Sequence, residues 1–238
     1  MKKLVIILIL IFPLLGSSPQ NPTDINIVLQ GLQNESLSNV RYMMLSGGWC
    51  AFYQDSETGE YYLHETTVYV EMGYDECNED SLAAVVSDVR GLFLIKGLES
   101  RKEPVKTLAL PDDALQREGL KVGEKYSFLF GGETYTLRAE GDIGEKYSYY
   151  WNNVKNYKLY LKDEKTGIEQ MITTVSDFSS TSPQILWIGD LDGDGKPDFV
   201  MRTATWYEGD KIELYLSSIA EKGELIKLAG IAEFNYSC

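Results

Sequence analysis

The feature that most constrains this chain is an alternation of apolar and polar side chains that recurs from residue 24 onward. Val68, Val70 and Met72, for example, alternate with Tyr69 and Glu71. Successive side chains of a β-strand point to opposite faces of the sheet, so a period of two residues indicates strands with one buried face. The chain is therefore predicted to be mainly β.

Two β-hairpins are predicted from this pattern. Residues 126–130 alternate, Gly131-Gly132 supplies a two-residue turn, and the alternation resumes through residues 134–139. Glycine adopts a positive φ without steric cost, as such a turn requires. A second hairpin is predicted over residues 157–174, with its turn at 163–167.

Helices are predicted in two short segments only. Residues 81–89 follow a potential N-cap at Asp80, and residues 111–118 begin with a proline. Neither segment is long enough to organise the fold, so we expect an antiparallel sandwich or open barrel with one or two short helices. The stretch 98–111 is the predicted link between an N-terminal β region, residues 17–105, and a C-terminal β domain, residues 106–238.

The first residues have the pattern of an export signal. Lys2 and Lys3 precede an uncharged apolar run, Leu4–Leu15, and small or turn-forming residues follow from Gly16. A transmembrane helix needs about 20 apolar residues, more than this run provides. We predict a signal peptide at residues 1–16 and a secreted or periplasmic protein without a membrane span after cleavage. An uncleaved N-terminal anchor is the alternative.

Charge and composition argue against a nucleic-acid-binding protein and against a disordered one. The chain has 22 Lys and Arg against 36 Asp and Glu, a net charge of −14. Nucleic acids are bound by positively charged surfaces, so no nucleic-acid partner is expected. Hydrophobic residues make up 44% of the chain, which is enough to form a core and argues against disorder.

The chain has three cysteines, Cys50, Cys77 and Cys238. In an oxidising compartment a disulfide is their usual state, and three thiols form at most one bridge within the chain. We favour Cys50 with Cys77 because the loop is short and turn-like residues flank both, although Cys238 could replace either. A cysteine nucleophile activated by His64 is less favoured, since no neighbouring residues suggest a stabilised thiolate.

The most informative motif is an aspartate-rich loop. Asp190, Asp192, Asp194 and Asp198 occupy positions 1, 3, 5 and 9 of this loop, and glycine at position 6 permits a sharp turn. Two such charges about 4 Å apart repel by on the order of 1 kcal/mol in water and about 4 kcal/mol at an effective dielectric of 20, so the loop needs a cation. Calcium fits best, with the carbonyl oxygen of Lys196 at position 7 as a fifth ligand.

The loop differs from an EF-hand, because Met201 stands where a bidentate glutamate is required and the flanking residues favour strands. With the pattern DxDxDGxxD between two strands, it resembles the calcium loop of FG-GAP and related repeats. Residues 187–200, with 214–218, 223–225 and Cys238, also resemble a group of exported bacterial proteins of unassigned function. The resemblance implies one calcium loop that stabilises a β-domain, and no known chemistry.

Other interpretations of these residues remain open. The aspartates could form a bare, solvated turn, since Asp and Gly are common in turns, whereas catalytic calcium is disfavoured because no nucleophile accompanies the loop. Acidic residues between Glu71 and Asp80 match no ligand spacing. We expect a calcium-stabilised protein that binds or interacts with a protein or glycan ligand rather than an enzyme. The alternative is a carbohydrate-binding or carbohydrate-active protein that uses exposed aromatic residues, namely Tyr147, Tyr149, Tyr150, Trp151, Trp206 and Tyr207.

Overall fold

The computed structural model describes residues 25–33, 35–76, 79–110, 114–144, 153–178, 181–204 and 209–235. Over these ranges the chain forms fifteen strands and two short helices. In chain order they are β1 Asn26–Val28, β2 Gly31–Gln33, α1 Leu37–Met44, β3 Trp49–Gln54, β4 Tyr61–Glu65, β5 Val68–Asp75, β6 Asp80–Ser87, β7 Phe93–Lys96, α2 Ala114–Arg117, β8 Lys125–Phe130, β9 Glu133–Ile143, β10 Val154–Asp163, β11 Glu169–Asp177, β12 Gln184–Gly189, β13 Asp198–Arg202, β14 Gly209–Leu216 and β15 Lys227–Asn235.

The strands form four antiparallel sheets, which confirms the predicted mainly β class. The outer sheet has the order β2-β6-β5, and the N-terminal sheet has the order β1-β7-β3-β4. The central sheet follows the chain as β12-β13-β14-β15, and the meander sheet has the order β11-β10-β9-β8. Each sheet is open within the described residues, so the arrangement corresponds to stacked sandwich layers rather than a closed barrel.

The central sheet is buried on both faces along β12, β13 and β14. One face packs against the N-terminal sheet in a core that includes Phe52, Leu63 and Trp187. The other face packs against the meander sheet in a core that includes Tyr157 and Phe199. This double burial explains why β12 and β13 are almost continuously apolar, since both sets of alternating side chains face a neighbouring layer.

Both predicted hairpins are confirmed. In the first, Phe130 of β8 lies opposite Glu133 of β9, and Gly131 and Gly132 have φ values of 60° and 89°. In the second, β10 pairs with β11 around the turn at residues 163–167. The alternation placed the apolar side chains of β9 and β10 correctly, because Tyr135 and Leu159 are both buried in the core.

One of the two predicted helices is wrong. Residues 81–87 belong to strand β6, which pairs with β5 on one side and with β2 on the other. Ala83 and Val85, two positions apart, are both buried, and this two-residue period is that of a strand. Helix α2 confirms the prediction for residues 111–118 over its described part, whereas α1, capped by the Ser36 side chain, was not predicted.

The link at residues 98–111 contacts two sheets. Val105 forms a bridge with Tyr61 at the start of β4, and Thr107 forms a bridge with Gly189 at the end of β12. The hydrophobic core between the N-terminal and central sheets contains residues that precede position 105 in the sequence and residues that follow it. The division into residues 17–105 and 106–238 stays a prediction.

Cys50 is a buried free thiol, so the favoured bridge to Cys77 is not formed. Its side chain faces the core between the N-terminal and central sheets, where its sulfur lies 3.8 Å from the carbonyl oxygen of Leu98. Burial, together with the Glu65 carboxylate, raises its pKa. His64 lies opposite Ala51 in the strand pairing, and so on the other face of the sheet. Cys77 and Cys238 lie outside the described residues.

The predicted signal peptide, residues 1–16, also lies outside the described residues. Among the helices that the structure describes, none has the length and apolar character needed to cross a membrane.

Candidate metal centre

The aspartate-rich loop connects the ends of two paired strands. Gly189 at the end of β12 lies opposite Asp198 at the start of β13, so the loop leaves and re-enters the central sheet at adjacent positions. Within the loop, Gly193 and Gly195 have φ values of 85° and 86°. This left-handed conformation favours glycine and bends the chain tightly enough to bring alternate side chains together.

Three carboxylates of the loop form a group that could hold a metal ion. Asp190, Asp192 and Asp194 each offer one oxygen, and these oxygens lie within 4.8 Å of one another. Two oxygens bound to one calcium ion at about 2.4 Å are at most about 4.8 Å apart, so the spacing fits a shared ion. Asp190 is buried, Asp192 is half-buried and Asp194 is exposed, which leaves the group open to solvent on one side.

Hydrogen bonds within the loop hold these carboxylates in place. Asp190 accepts from the backbone N–H groups of Gly193, at 2.6 Å, and Gly195, at 3.1 Å. Asp192 accepts from the N–H of Asp194 at 3.3 Å, and Asp194 accepts from the N–H of Lys196 at 2.8 Å. The loop therefore folds around its own aspartates, as tight Asx turns do.

Two serines at the end of β14 complete the site from the neighbouring strand. The Ser217 hydroxyl lies 3.0 Å from both carboxylate oxygens of Asp194, and the Ser218 hydroxyl donates to Asp192. Sequence analysis missed both serines as site residues. No local signal marks them, because only the pairing of β13 with β14 brings them beside the loop.

Asp198 is the most deeply buried of the four aspartates. Its side chain is fully buried, and its two oxygens accept from the backbone N–H groups of Leu191, at 2.7 Å, and Ser217, at 2.8 Å. Asp198 is not part of the group of three carboxylates described above. It joins the start of the loop to the end of β14, which makes it the internal support of the site.

The electrostatics of the site disfavour its negative charge. Burial, followed by repulsion from Asp192, raises the pKa of Asp198 well above its usual value. The pKa of Asp192 is also raised, first by burial and then by the charges of Asp194 and Asp190. Hydrogen bonds oppose both shifts without cancelling them. A cation among these oxygens would reverse the shifts by favouring the charged forms.

Two segments from other parts of the fold, the link at residues 98–111 and the β8–β9 turn, brace the loop. Arg101 donates to the carbonyl oxygen of Asp190 at 3.2 Å, and its guanidinium covers Gly193 so closely that a Cβ there would lie 2.3 Å from it. The backbone N–H of Asp190 donates to the carbonyl oxygen of Lys106 at 2.8 Å. In the β8–β9 turn, a Cβ on Gly131 would lie 2.4 Å from the carbonyl oxygen of Gly195.

The structure thus brings together Asp190, Asp192 and Asp194 of the five predicted ligands, with Asp198 beneath them. Lys196 lies in the loop, and the ligand role of its carbonyl oxygen stays a prediction. The aromatic residues of the alternative interpretation, at positions 147–151 and 206–207, lie outside the described residues.

Comparison with known proteins gives no relative from which a function could be transferred. No protein-family model, curated protein or solved structure matches this chain.

Proposed function

We propose that the loop at residues 190–198 binds one calcium ion, which stabilises an exported β protein whose role is binding or interaction rather than catalysis. The observation that carries this proposal is the group of three carboxylate oxygens within 4.8 Å. Lys196 is the one cationic residue of the loop, and the hydrogen bond that it donates to Asp194 comes from its backbone N–H.

Calcium fits the donor set better than magnesium. Calcium accepts six to eight oxygens in variable geometry, whereas magnesium requires a near-ideal octahedron and retains its waters. Carboxylates from Asp190, Asp192, Asp194 and Asp198, with the carbonyl oxygen of Lys196, would supply five ligand residues. Solvent at the exposed side of Asp194 would supply water as a further ligand.

The pattern of the loop supports the same proposal. A DxDxDGxxD sequence that joins two paired antiparallel strands is what the resemblance to FG-GAP loops implies, and here Gly189 and Asp198 are paired across its base. An ion at this position would cross-link the ends of β12, β13 and β14, because Ser217 and Ser218 contact the same carboxylates. Its role would therefore be structural.

Thermal unfolding tests this proposal. With a dissociation constant of about 10 μM, 1 mM calcium would stabilise the folded state by about 2.7 kcal/mol, which corresponds to a rise in Tm of about 5 to 10 °C over the chelated protein. Magnesium at the same concentration should give a much smaller rise. The variant Asp192→Asn/Asp194→Asn should lose the calcium response.

Asp55→Asn is the matched control, because Asp55 is also a turn aspartate that accepts from backbone N–H groups, here those of Glu57 and Thr58. This variant should keep the full calcium response. A Tm that does not change on addition of calcium to the unmodified protein would overturn the proposal.

A further inference from the structure

A cavity of about 520 Å³ lies between the start of β4 and the edge of β12, separate from the aspartate group. Its apolar wall includes Tyr61, Leu108, Leu186 and Trp187. The volume lies within the usual range for small-molecule sites, which combine an apolar wall with a few polar groups. A larger depression of about 890 Å³, beside β9 and β10, has no aromatic side chain in its lining.

Tyr61 presents part of an aromatic ring to the cavity. Its ring is stacked on Phe52 at a centroid distance of 5.5 Å, with 23° between the planes, and Phe52 is fully buried. One face of the Tyr61 ring is thus covered by the core. The ring also lies 6.1 Å from the Trp187 ring, and the half-buried remainder of Tyr61 lines the cavity. Among the described residues, no hydrogen bond engages its hydroxyl group.

Two glutamines place hydrogen-bond acceptors at the rim. The side-chain amide nitrogen of Gln54 donates to the carbonyl oxygen of Gly59 at 2.9 Å, and that of Gln116 donates to the carbonyl oxygen of Leu186 at 3.0 Å. These bonds fix the orientation of both amides. Their side-chain oxygens have no hydrogen-bond partner among the described residues, so they remain available as acceptors.

The charged groups of the lining balance each other. Among the described residues that line the cavity, Glu60 and Lys106 are the only charged ones, and they have opposite signs. Glu60 accepts from the Tyr62 hydroxyl at 3.0 Å, and the Lys106 ammonium lies 4.6 Å from the centre of the Phe130 ring. From these described lining residues, a ligand with a net charge gains no overall electrostatic attraction.

From this lining we infer that the cavity binds a neutral ring rich in hydroxyl groups, that is, one sugar unit. The hydroxyl groups would donate to the two glutamine oxygens and pair with the Tyr61 hydroxyl. The apolar C–H face of the sugar ring would lie against the exposed part of the Tyr61 side chain. This site differs from the aromatic surface considered in the sequence analysis, and it does not depend on calcium binding by the loop.

Calorimetric titration with methyl glycosides of glucose, galactose, mannose and N-acetylglucosamine tests this inference, with 1 mM calcium present throughout. At least one glycoside should bind saturably with a dissociation constant in the millimolar range. Leu108→Trp, which fills the cavity, should weaken binding at least tenfold, and Tyr61→Phe, which keeps the ring, should weaken it several-fold.

Tyr53→Phe is the matched control, since Tyr53 of β3 stacks on Tyr62 at the opposite face of the sheet, and its hydroxyl contacts His64 rather than a residue of the cavity lining. Its affinity should equal that of the unmodified protein. Near-ultraviolet circular dichroism establishes that each variant is folded. The inference is overturned if none of the four glycosides binds, or if Leu108→Trp is folded and binds with unchanged affinity.

Discussion

The turn at residues 163–167 and the loop at residues 190–198 each begin with an aspartate that accepts from backbone N–H groups, yet the pKa shifts of Asp163 and of Asp192 and Asp198 have opposite signs. Asp163 accepts from the backbone N–H groups of Lys165, at 2.8 Å, and Thr166, at 3.3 Å, and from the Thr166 hydroxyl at 2.7 Å. Burial raises its pKa, but these bonds more than compensate, so the net shift is downward. In the loop, hydrogen bonds fail to compensate, and the pKa values of Asp192 and Asp198 rise.

The difference lies in burial and in neighbouring negative charge more than in the number of donors. Asp198 accepts from the N–H groups of Leu191 and Ser217 and competes with Asp194 for the single proton of the Ser217 hydroxyl. Asp163 accepts from two N–H groups and one hydroxyl. A single carboxylate is stabilised by three donors, whereas a buried carboxylate near other carboxylates is not, because each neighbour adds repulsion. A cation bound at the loop would favour the charged forms of these carboxylates.

Asp198→Ala should have the largest effect on stability. In 1 mM calcium we expect the free energy of unfolding to fall by about 3 kcal/mol, since two backbone N–H groups beside a fully buried side chain would lose their acceptor. Asp163→Ala should cost clearly less, because the N–H groups that lose their acceptor belong to Lys165 and Thr166, which are exposed, so water can replace it. Urea unfolding of both variants measures the difference, and equal losses would contradict the contrast between the two regions.

Gly131→Ala tests whether the loop is braced from outside. Alanine at a positive φ costs about 1 kcal/mol by itself, so Gly132→Ala, with no atom within 4 Å of the added methyl group, should lose about that much. Gly131→Ala should lose about twice as much and bind calcium more weakly, because its methyl group would collide with the carbonyl oxygen of Gly195. Equal calcium affinities in calorimetry would show that the turn does not support the loop.

The effect of Asp192→Asn on the free energy of unfolding should change sign when calcium is added. In chelator at pH 7 we expect the variant to be more stable than the unmodified protein by on the order of 1 kcal/mol, because the substitution removes repulsion from the group. In calcium it should be less stable, because a ligand charge is lost.

Asp163→Asn is the control for this sign change. A carboxylate whose pKa is lowered by folding contributes stability above its unfolded pKa and loses it as the pH falls through the folded value. At pH 7 this variant should therefore be less stable in both solutions. If Asp192→Asn instead lowers the free energy of unfolding in chelator, hydrogen bonds outweigh charge repulsion in the loop as well.

Arg101→Gln should have the smallest effect. Arg101 places a positive charge beside the loop through its hydrogen bond to the Asp190 carbonyl oxygen. Removing this charge should raise calcium affinity a few-fold, and more at low salt, since screening weakens such interactions. Lys165→Gln, beside the turn, should leave calcium affinity unchanged. A calcium affinity in Arg101→Gln that is unchanged at every salt concentration would show that the guanidinium has only a packing role.

Sequence reasoning succeeded where the signal is local. The hairpin at Gly131-Gly132 and the aspartate loop were found because turn residues and alternation lie within a few positions of each other. Residues 81–87 were misread because a short apolar run without Gly or Pro fits helix and strand alike. Their strand state depends on pairing with β2 and β5, which residue spacing within the segment does not reveal.

The site residues that sequence analysis did not find were missed for a different reason. Ser218 is separated from Asp192 by 26 positions, and Arg101 from Asp190 by 89 positions. No spacing rule connects residues so far apart, and neither serine nor arginine is an unusual residue type at a surface. Only the stacking of the N-terminal, central and meander sheets brings these groups to one place.

This dispersion has a consequence for the order of folding. The loop is held by residues from the link, from the β8–β9 turn and from the end of β14, so its final geometry requires sheets that are distant in sequence to have packed already. Such long-range contacts form late, after the local hairpins. If the loop binds calcium as proposed, the ion binds tightly only to the completed fold. Calcium would then bind in the last step of folding and stabilise fully folded molecules relative to partly folded ones.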